Sequence, residues 1–258
     1  MGILIKQPKE IEIMREGGKN LALVLDVLEK AVHPGVSTKE LDVLAEKTIR
    51  ELGDTPAFLN YQPYGADFPY PATLCISVND EIVHGLPNKD RILKEGDIVG
   101  LDLGLVHKGT ISDSARTICV GTVSEKVQKL VDTTKKALEI GIAAAKTGAH
   151  VGDIGYAIER YVKPFKYGIV RELGGHGVGR YVHEDPFIPN WGNKKGVGAK
   201  LKPGMIIAIE PMLNEGTRRI ILDKDGYTYR TSDGSLSAHF EHTILITKEG
   251  TPEILTKI

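Results

Sequence analysis

One segment occurs twice in this chain, and that repeat constrains the fold more than any other feature. Residues 93–103 are LKEGDIVGLDL and residues 201–211 are LKPGMIIAIEP, so the two copies lie 108 positions apart. The offset aligns Asp102 with Glu210, which places an acidic residue near the end of an apolar run in each half. Apolar runs bounded by glycine and proline are typical of buried strands. The repeat therefore predicts two lobes of similar plan that meet at one shared site.

A pair of helices is predicted ahead of the main strands in each half. The first helical pattern covers residues 10–32, and a capping box at Ser37 opens a second helix that ends near residue 53. Further helical patterns cover residues 124–146 and 151–164. Strands and helices in this order predict an α+β protein in which antiparallel sheets are covered by helices.

Length and composition favour one globular domain. The chain has 258 residues, and its 33 lysines and arginines nearly balance its 34 aspartates and glutamates. The near-zero net charge offers no electrostatic attraction for nucleic acid or for a membrane surface. No apolar run approaches the roughly 20 residues of a transmembrane helix, and no signal-peptide pattern is present. We expect a cytoplasmic protein with a single domain at residues 1–258 and pseudo-repeat halves at about 1–121 and 122–258.

Two aspartates flank a predicted hairpin in the first half. The run before Asp113 alternates apolar and polar residues around His107 and Lys108, which predicts two antiparallel strands joined by a turn there. A turn centred on these two residues would place Asp102 directly opposite Asp113. Like charges at such positions repel, so the arrangement favours a cation between them. A solvated hairpin face is the alternative, and the apolar character of the Asp102 strand argues against it.

Two acidic residues of the second half lie in segments that are too apolar for an exposed surface. Glu210 follows residues 205–209, which are apolar on both faces, so we expect it at the end of a central strand. Alternation around Glu241 places His239, Glu241 and Thr243 on one strand face. Because acidic residues are rarely buried without a partner, both positions favour a bound cation over an exposed strand end.

Three histidines occur in distinctive local sequences. His176 is surrounded by four glycines in residues 174–179, which favours a close backbone approach at that point. His84 lies in IVHGLP and His183 lies in YVHEDP, so the two halves again carry matching segments. A single histidine is more often structural than functional, and the glycine cluster lacks the Lys-Ser/Thr ending of a phosphate loop. It is the complete set of acids and histidines that indicates a function.

The combined motifs resemble those of type I methionine aminopeptidases, a metallopeptidase family with a pita-bread fold. The resemblance rests on SVNDEIVHG, LDLG with the later SDSA, GGHGVGRYVHEDP, IEPM and AHFEHT, and it extends over nearly the whole chain. It implies two pseudo-symmetric halves with a dinuclear metal site between them. It also implies an enzyme that removes the initiator methionine co-translationally from proteins with a small second residue.

The family pattern implies a role for each candidate residue. Two divalent metal ions would be bound by Asp102, Asp113, His176, Glu210 and Glu241. Of these, Asp113 and Glu241 would bridge the ions, and Glu210 would also act as the proton shuttle. His84 and His183 would contact the substrate near the scissile amide and the tetrahedral oxyanion. The methionine pocket would be lined by Phe58, Tyr61, Tyr64, Cys75 and Tyr227.

Four carboxylates and one imidazole form a hard ligand set. Their four negative charges balance two divalent cations, so the complete site would be electrically neutral. Oxygen ligands with one nitrogen favour cobalt, manganese or iron, and zinc is also compatible. Two such ions activate a water molecule and polarise the scissile carbonyl.

The residues around the pocket depart from the commonest bacterial pattern of the family. Phe58 replaces a cysteine, Val182 a phenylalanine and Tyr227 a tryptophan, and about five residues from 66 to 70 are inserted. These departures concern the shape of the pocket and the tolerance for the second residue. They leave the metal ligands unchanged.

Three alternatives compete with this interpretation. An aminopeptidase P or prolidase would use a similar metal set on Xaa-Pro bonds, but such proteins usually carry an additional N-terminal domain. A non-catalytic binding protein of the same fold would have lost ligands, whereas all five ligand positions and both histidines are present. A nucleic-acid binder is disfavoured by the net charge.

The resemblance also implies the partners of this protein. Its substrates would be the N-termini of nascent polypeptides, with a transient association with the ribosome. We expect neither a nucleic-acid substrate nor a membrane, and we expect a monomer.

Overall fold

The computed structural model describes residues 2–63 and 65–258. The helices are α1 (Pro8–Ala31), α2 (Thr38–Glu51), α3 (Glu125–Ala144) and α4 (Val151–Val162), and a short 3-10 helix covers Lys163–Phe165. The strands are β1 (Thr55–Pro56), β2 (Cys75–Val78), β3 (Glu81–Val83), β4 (Ile98–His107), β5 (Thr110–Cys119), β6 (Gly168–Ile169), β7 (Gly175–Gly177), β8 (Glu184–Ile188), β9 (Ile206–Ile209), β10 (Met212–Asn214), β11 (Ile220–Leu222), β12 (Tyr229–Thr231), β13 (Ser237–His239), β14 (Glu241–Leu245) and β15 (Glu253–Ile254).

All four predicted helices are confirmed, and local sequence explains where they begin and end. The Ser37 side chain accepts a hydrogen bond from the Glu40 N–H, and the Glu40 carboxylate accepts one from the Ser37 N–H, which completes the predicted capping box. Ser124 caps α3 by accepting a hydrogen bond from the Val127 N–H. Helix α4 ends at Val162, shortly before Pro164, because a proline cannot donate the next helical hydrogen bond. Pro164 itself lies in the short 3-10 helix that follows.

One large antiparallel sheet joins the two halves of the chain. Its strand order is β1-β4-β5-β14-β9-β7-β8, with β2 paired to β4 and β15 paired to β14. Strands β4 and β5 belong to the first half and β14 belongs to the second, so the β5–β14 pair connects the lobes. Two three-stranded sheets, β13-β10-β6 and β11-β12-β3, complete the architecture. The predicted α+β class is confirmed.

The helices bury the sheet in two apolar clusters. Residues of α1 and α2 pack with Leu101 and Leu103 of β4, all of them fully buried. Residues of α3 and α4 pack with Ile207 and Ile209 of β9. Since side chains alternate along a strand, Asp102 lies on the face of β4 opposite the helices. Within the described ranges, no helix is long and apolar enough to cross a membrane.

The predicted register of the β4–β5 hairpin is wrong by two residues. The turn lies at Lys108 and Gly109, whose φ angles are 47° and 83°, and His107 pairs with Thr110. A two-residue turn with positive φ at both positions has the backbone twist that suits antiparallel strands. Glycine adopts this conformation without steric cost. The turn is therefore centred on Lys108 and Gly109, one residue beyond the expected centre at His107 and Lys108.

Candidate metal centre and substrate cavity

Three carboxylates converge on one face of the sheet. In the observed register Asp102 pairs with Ala115, and Asp113 pairs with Gly104, so the two aspartates are diagonal neighbours rather than directly opposed. A shift of two residues keeps both side chains on the same face, because the strand period is two. From the other side, Glu241 of β14 also pairs with Ala115. The stagger leaves room for a cation among the carboxylates.

Hydrogen bonds between β5 and β14 hold two of these carboxylates in register. The Asp113 N–H donates to Thr243 Oγ1 at 3.0 Å, and the same hydroxyl donates to the Asp113 carbonyl oxygen at 2.7 Å. The Ser114 hydroxyl donates to the Glu241 carbonyl oxygen at 2.7 Å. The backbone of each lobe is therefore fixed at the position of its acidic residue.

Glu210 and His176 complete the cluster. Glu210 follows β9, which pairs with β14 and β7, so its predicted position at the end of a central strand is confirmed. His176 Nε2 lies 3.4 Å from Glu210 Oε1 and 4.0 Å from Asp113 Oδ2. Ligand atoms of Asp113, His176 and Glu241 lie within 4.8 Å of one another. Side chains from both halves thus meet at one point.

The glycines beside His176 allow the close approach that the sequence predicted. A Cβ at Gly175 would lie 2.2 Å from the Ala208 carbonyl oxygen, and one at Gly177 would lie 2.4 Å from the Asp185 carbonyl oxygen. Any side chain at either position would push β7 away from its neighbours. The two glycines therefore determine how near His176 comes to the carboxylates.

The residues of the cluster fit divalent cations. The atoms Asp102 Oδ1, Asp113 Oδ1, Glu210 Oε1 and Glu241 Oε1 are buried and lack a hydrogen-bond partner among the described residues. Leaving ionised carboxylates buried and unpaired is costly, so the set requires either protons or metal ions. Hard oxygen donors with one imidazole suit cobalt, manganese, iron or zinc.

The pKa values of the cluster respond to burial. Burial raises the pKa of Asp113 to about 7, and burial together with the Asp113 charge raises the pKa of Glu210 to about 8. The pKa values of Asp102 and Glu241 also rise well above their usual range, first by burial and then by the neighbouring carboxylates. Burial lowers the pKa of His176 to about 3, so its imidazole is neutral at pH 7, which is the form that binds metals.

A cavity of about 560 Å³ opens onto this cluster. Its lining includes the five predicted metal ligands, the histidines His84 and His183, and the predicted pocket residues Phe58, Tyr61, Cys75 and Tyr227. Tyr64, the remaining predicted pocket residue, lies outside the described residues. A cavity of this size is ample for a methionine side chain and the peptide bond that follows it.

The two cavity histidines are held by different contacts. His183 Nδ1 lies 2.9 Å from the Tyr61 hydroxyl, and its ring centroid is 4.6 Å from that of His176. His84 adopts φ of 60°, and the next residue is Gly85, where a Cβ would lie 2.2 Å from the Ile76 carbonyl oxygen. Burial lowers the pKa of both imidazoles, that of His84 to about 4. Both side chains are neutral at pH 7.

Residues 66–70, which the family resemblance marks as an insertion, line part of the cavity through Ala66 and Tyr70. Phe68 and Tyr70 each pack edge-on against Tyr227 with ring centroids 5.1 Å apart, and the Tyr227 hydroxyl donates to the Phe68 carbonyl oxygen. The Tyr70 hydroxyl donates to the Gly85 carbonyl oxygen at 2.8 Å, next to His84. Tyr70 lines the cavity, although the sequence motifs did not predict it there. The concentration of aromatic residues in this segment was the available signal.

His239 is a second residue near the cluster to which the sequence motifs assigned no role. Its side chain is buried, and Nε2 lies 4.0 Å from Glu210 Oε2 with no hydrogen-bond partner in the described part of the chain. Burial lowers its pKa to about 3. The signal was the strand alternation, which placed His239 on the same face as Glu241.

Comparison with known proteins defines the class of this protein. The model of metallopeptidase family M24 matches residues 12–248, and the chain belongs to this family. A methionine aminopeptidase from Aquifex aeolicus is 48% identical, with both chains covered in full. The crystal structure of a methionine aminopeptidase from Thermotoga maritima superposes with a TM-score of 0.94 at 44% identity, again over the full length of both chains. The predicted family and the predicted pita-bread fold are confirmed.

The prolidase alternative receives weaker support from the same comparison. A prolidase from Pyrococcus furiosus superposes with a TM-score of 0.75 at 25% identity. The match covers 98% of this chain but 65% of the prolidase. Both the identity and the shared length therefore favour the methionine aminopeptidases.

Proposed function

We propose that this protein hydrolyses the bond after an N-terminal methionine, acting co-translationally on polypeptides whose second residue is small. Its full-length similarity to methionine aminopeptidases supports the activity, and membership of family M24 supports the use of divalent metal. The observation that carries the proposal is the convergence of four carboxylates and three histidines in one cavity. This combination supplies both metal ligands and proton-carrying groups.

The proposed metal ligands are Asp102, Asp113, His176, Glu210 and Glu241. By the resemblance to methionine aminopeptidases, Asp113 and Glu241 would each serve both ions, and they lie on adjacent strands at the junction of the two lobes. Two divalent ions in this site would lower the pKa of a bound water and polarise the scissile carbonyl. Cobalt, manganese or iron suits the oxygen-rich donor set best, and zinc is compatible with it.

Three side chains would act on the substrate. Glu210 would accept a proton from the attacking water at a carboxylate oxygen and deliver it to the nitrogen of the leaving peptide. His183 would donate a hydrogen bond to the oxyanion, and Tyr61 orients its ring through the contact at Nδ1. His84 would hydrogen-bond the substrate near the scissile amide.

The pocket would select methionine by its shape and its polarisable lining. Phe58, Cys75 and Tyr227 form one buried apolar cluster, and a thioether packs well against aromatic rings. The second residue of the substrate would meet the crowded ligand cluster, so only small side chains would fit. A misplacement of about 1 Å at the scissile bond can lower the rate by about 10²-fold.

A panel of Met-Xaa-Ser peptides tests the proposal, with Xaa running from Gly and Ala through Val to Leu and Lys. We expect kcat/KM to fall steeply beyond Val. Leucine and norleucine in place of methionine should be cut slowly, because one methylene is worth only about 1–3 kcal/mol. Equal rates for Gly and Lys would contradict the size rule, and cleavage of Ala-Pro without Met-Ala would support the prolidase alternative.

The proposal extends to the setting of the enzyme. We propose that the protein is a cytoplasmic monomer. We also propose a single catalytic domain, which the sheet that continues across both halves supports. A transient association with the ribosome would bring it to nascent chains. Size-exclusion chromatography with light scattering and cosedimentation with ribosomes would test these points.

A further inference from the structure

A buried ion pair connects the N-terminal segment to the loop that carries His183. Lys6 Nζ donates to Glu184 Oε2, and each of the two side chains is only 1% exposed. The other carboxylate oxygen, Glu184 Oε1, accepts from the backbone N–H groups of Arg180 and Tyr181 at 2.6 and 3.1 Å. One carboxylate thus closes the loop on itself and attaches it to a residue near the start of the chain.

Val182 and His183 of this loop both line the cavity. Val182 is 4% exposed and packs in the apolar cluster that contains Phe58 and Cys75. His183, the next residue, contacts the Tyr61 hydroxyl. Any shift of the loop would therefore move the pocket wall and the proposed oxyanion donor together.

The backbone around the loop is shaped to receive Lys6. Gly179 has φ of 143°, and a Cβ there would lie 2.6 Å from Lys6 Cε. The Gly179 carbonyl oxygen accepts from the Ile111 N–H at 2.6 Å, two residues before Asp113. The Lys6 N–H donates to the Gly204 carbonyl oxygen at 2.8 Å, which fixes the segment to the second half. Lys6 is therefore part of the packing between both lobes.

A buried ion pair contributes little net free energy to the stability of a folded protein. Well-packed apolar residues in its place are often as stable or more so, whereas removing one partner leaves an uncompensated charge. Within the same loop, Arg180 also pairs with Glu10, but that pair is partly exposed. The contrast indicates that the buried pair serves to hold one loop conformation.

We propose that Lys6 and Glu184 are positioning residues that hold His183 at the reacting centre. The inference rests on the proposed function, in which His183 stabilises the oxyanion. It makes the segment ahead of α1 a contributor to catalysis, although no residue of that segment lines the cavity among the described residues.

The test compares Lys6→Met, Lys6→Arg, Glu184→Gln and the double variant Lys6→Met/Glu184→Gln, with Arg180→Gln as the control. We expect Lys6→Met to lower kcat on Met-Ala-Ser by about 10²-fold, with KM within about threefold and metal content per chain unchanged. Lys6→Arg should recover part of the loss. The double variant should be more active than Lys6→Met, because the uncompensated carboxylate is gone and the glutamine still accepts from the loop. Arg180→Gln should stay within about threefold of the parent.

Two results would overturn the inference. The first is a folded Lys6→Met variant with the kcat of the parent, and the second is additive losses from Lys6→Met and Glu184→Gln. If Lys6→Met does not fold, kcat and metal content are measured on Glu184→Gln in its place. The ¹⁵N chemical shifts of the His183 ring provide a readout without turnover, and they should move in Lys6→Met but not in Arg180→Gln. A parent enzyme that cleaves no Met-peptide would overturn the proposed function, and the ring shifts would still test the positioning.

Discussion

Removal of the metal ions should make this protein less stable as the pH rises above neutrality. In the metal-free protein, burial raises the pKa of Glu210 to about 8 and raises those of Asp102 and Glu241 well above their usual range. In the unfolded chain these groups titrate near pH 4. A group whose folded pKa is raised stabilises the protein fully at low pH and loses that contribution as the pH rises through the folded value.

The size of the effect follows from the number of protons involved. Each carboxyl that keeps its proton only in the folded state lowers the free energy of unfolding by about 1.4 kcal/mol per pH unit. Between pH 7 and 8, Glu210, whose folded pKa is about 8, would therefore lower it by about 1 kcal/mol, and Asp102 and Glu241 would add to this loss in the same direction.

The buried histidines also make the free energy of unfolding depend on pH, but mainly below pH 7. Burial lowers the pKa of His84 to about 4 and that of His239 to about 3. A histidine whose pKa is lowered in the folded state stabilises that state as the pH rises through the unfolded pKa of about 6.5. This change in the free energy of unfolding is opposite in sign to that of the carboxyls. Above pH 7 this contribution is nearly complete, so the carboxyls dominate the remaining change.

The assay is urea unfolding of chelated protein at pH 7 and pH 8, followed by circular dichroism. The Mn²⁺-loaded protein should show little change, because bound cations keep the carboxylates ionised in the folded state. In the matched variant Glu241→Gln, the pH dependence of the chelated protein should be smaller, because one carboxyl with a raised pKa is absent. A chelated protein that is equally or more stable at pH 8 would refute the reasoning.

Four further substitutions test the metal ligands, the oxyanion donor and the specificity of the pocket. Asp113→Ala and Glu241→Ala should each lose at least one metal ion per chain and all peptidase activity. Plasma emission spectroscopy measures the metal content and peptide cleavage measures the activity. Full metal content in either variant would contradict the assignment. His183→Ala should keep its metal but lower kcat by about 10²–10³-fold, and parallel loss of metal would instead make it a ligand. Phe68→Ala should loosen the packing around Tyr227 and raise the rate on leucine peptides relative to methionine peptides. An unchanged ratio of the two rates would show that residues 66–70 do not determine specificity.

The sequence alone predicted the features that depend on near neighbours. The capping box at Ser37 and the serine cap at Ser124 involve contacts within one helical turn, so the helix starts followed from local chemistry. The repeated apolar segment predicted a buried strand around Asp102 and a buried strand that ends at Glu210, because burial on both faces requires an uninterrupted apolar run. The motifs, taken together, predicted the family.

The tertiary structure decided what depends on distant parts of the chain. The hairpin register changed because positive φ at Lys108 and Gly109 determines the turn, and that preference overrode the centre suggested by polarity. The cavity wall depends on how Phe68 packs against Tyr227, far away in the sequence. The Lys6–Glu184 pair joins residues 178 positions apart, and no local pattern distinguishes that lysine from an exposed one. Helix caps and strand alternation arise from contacts over a few residues, whereas register, cavity shape and buried ion pairs arise from packing of the whole chain.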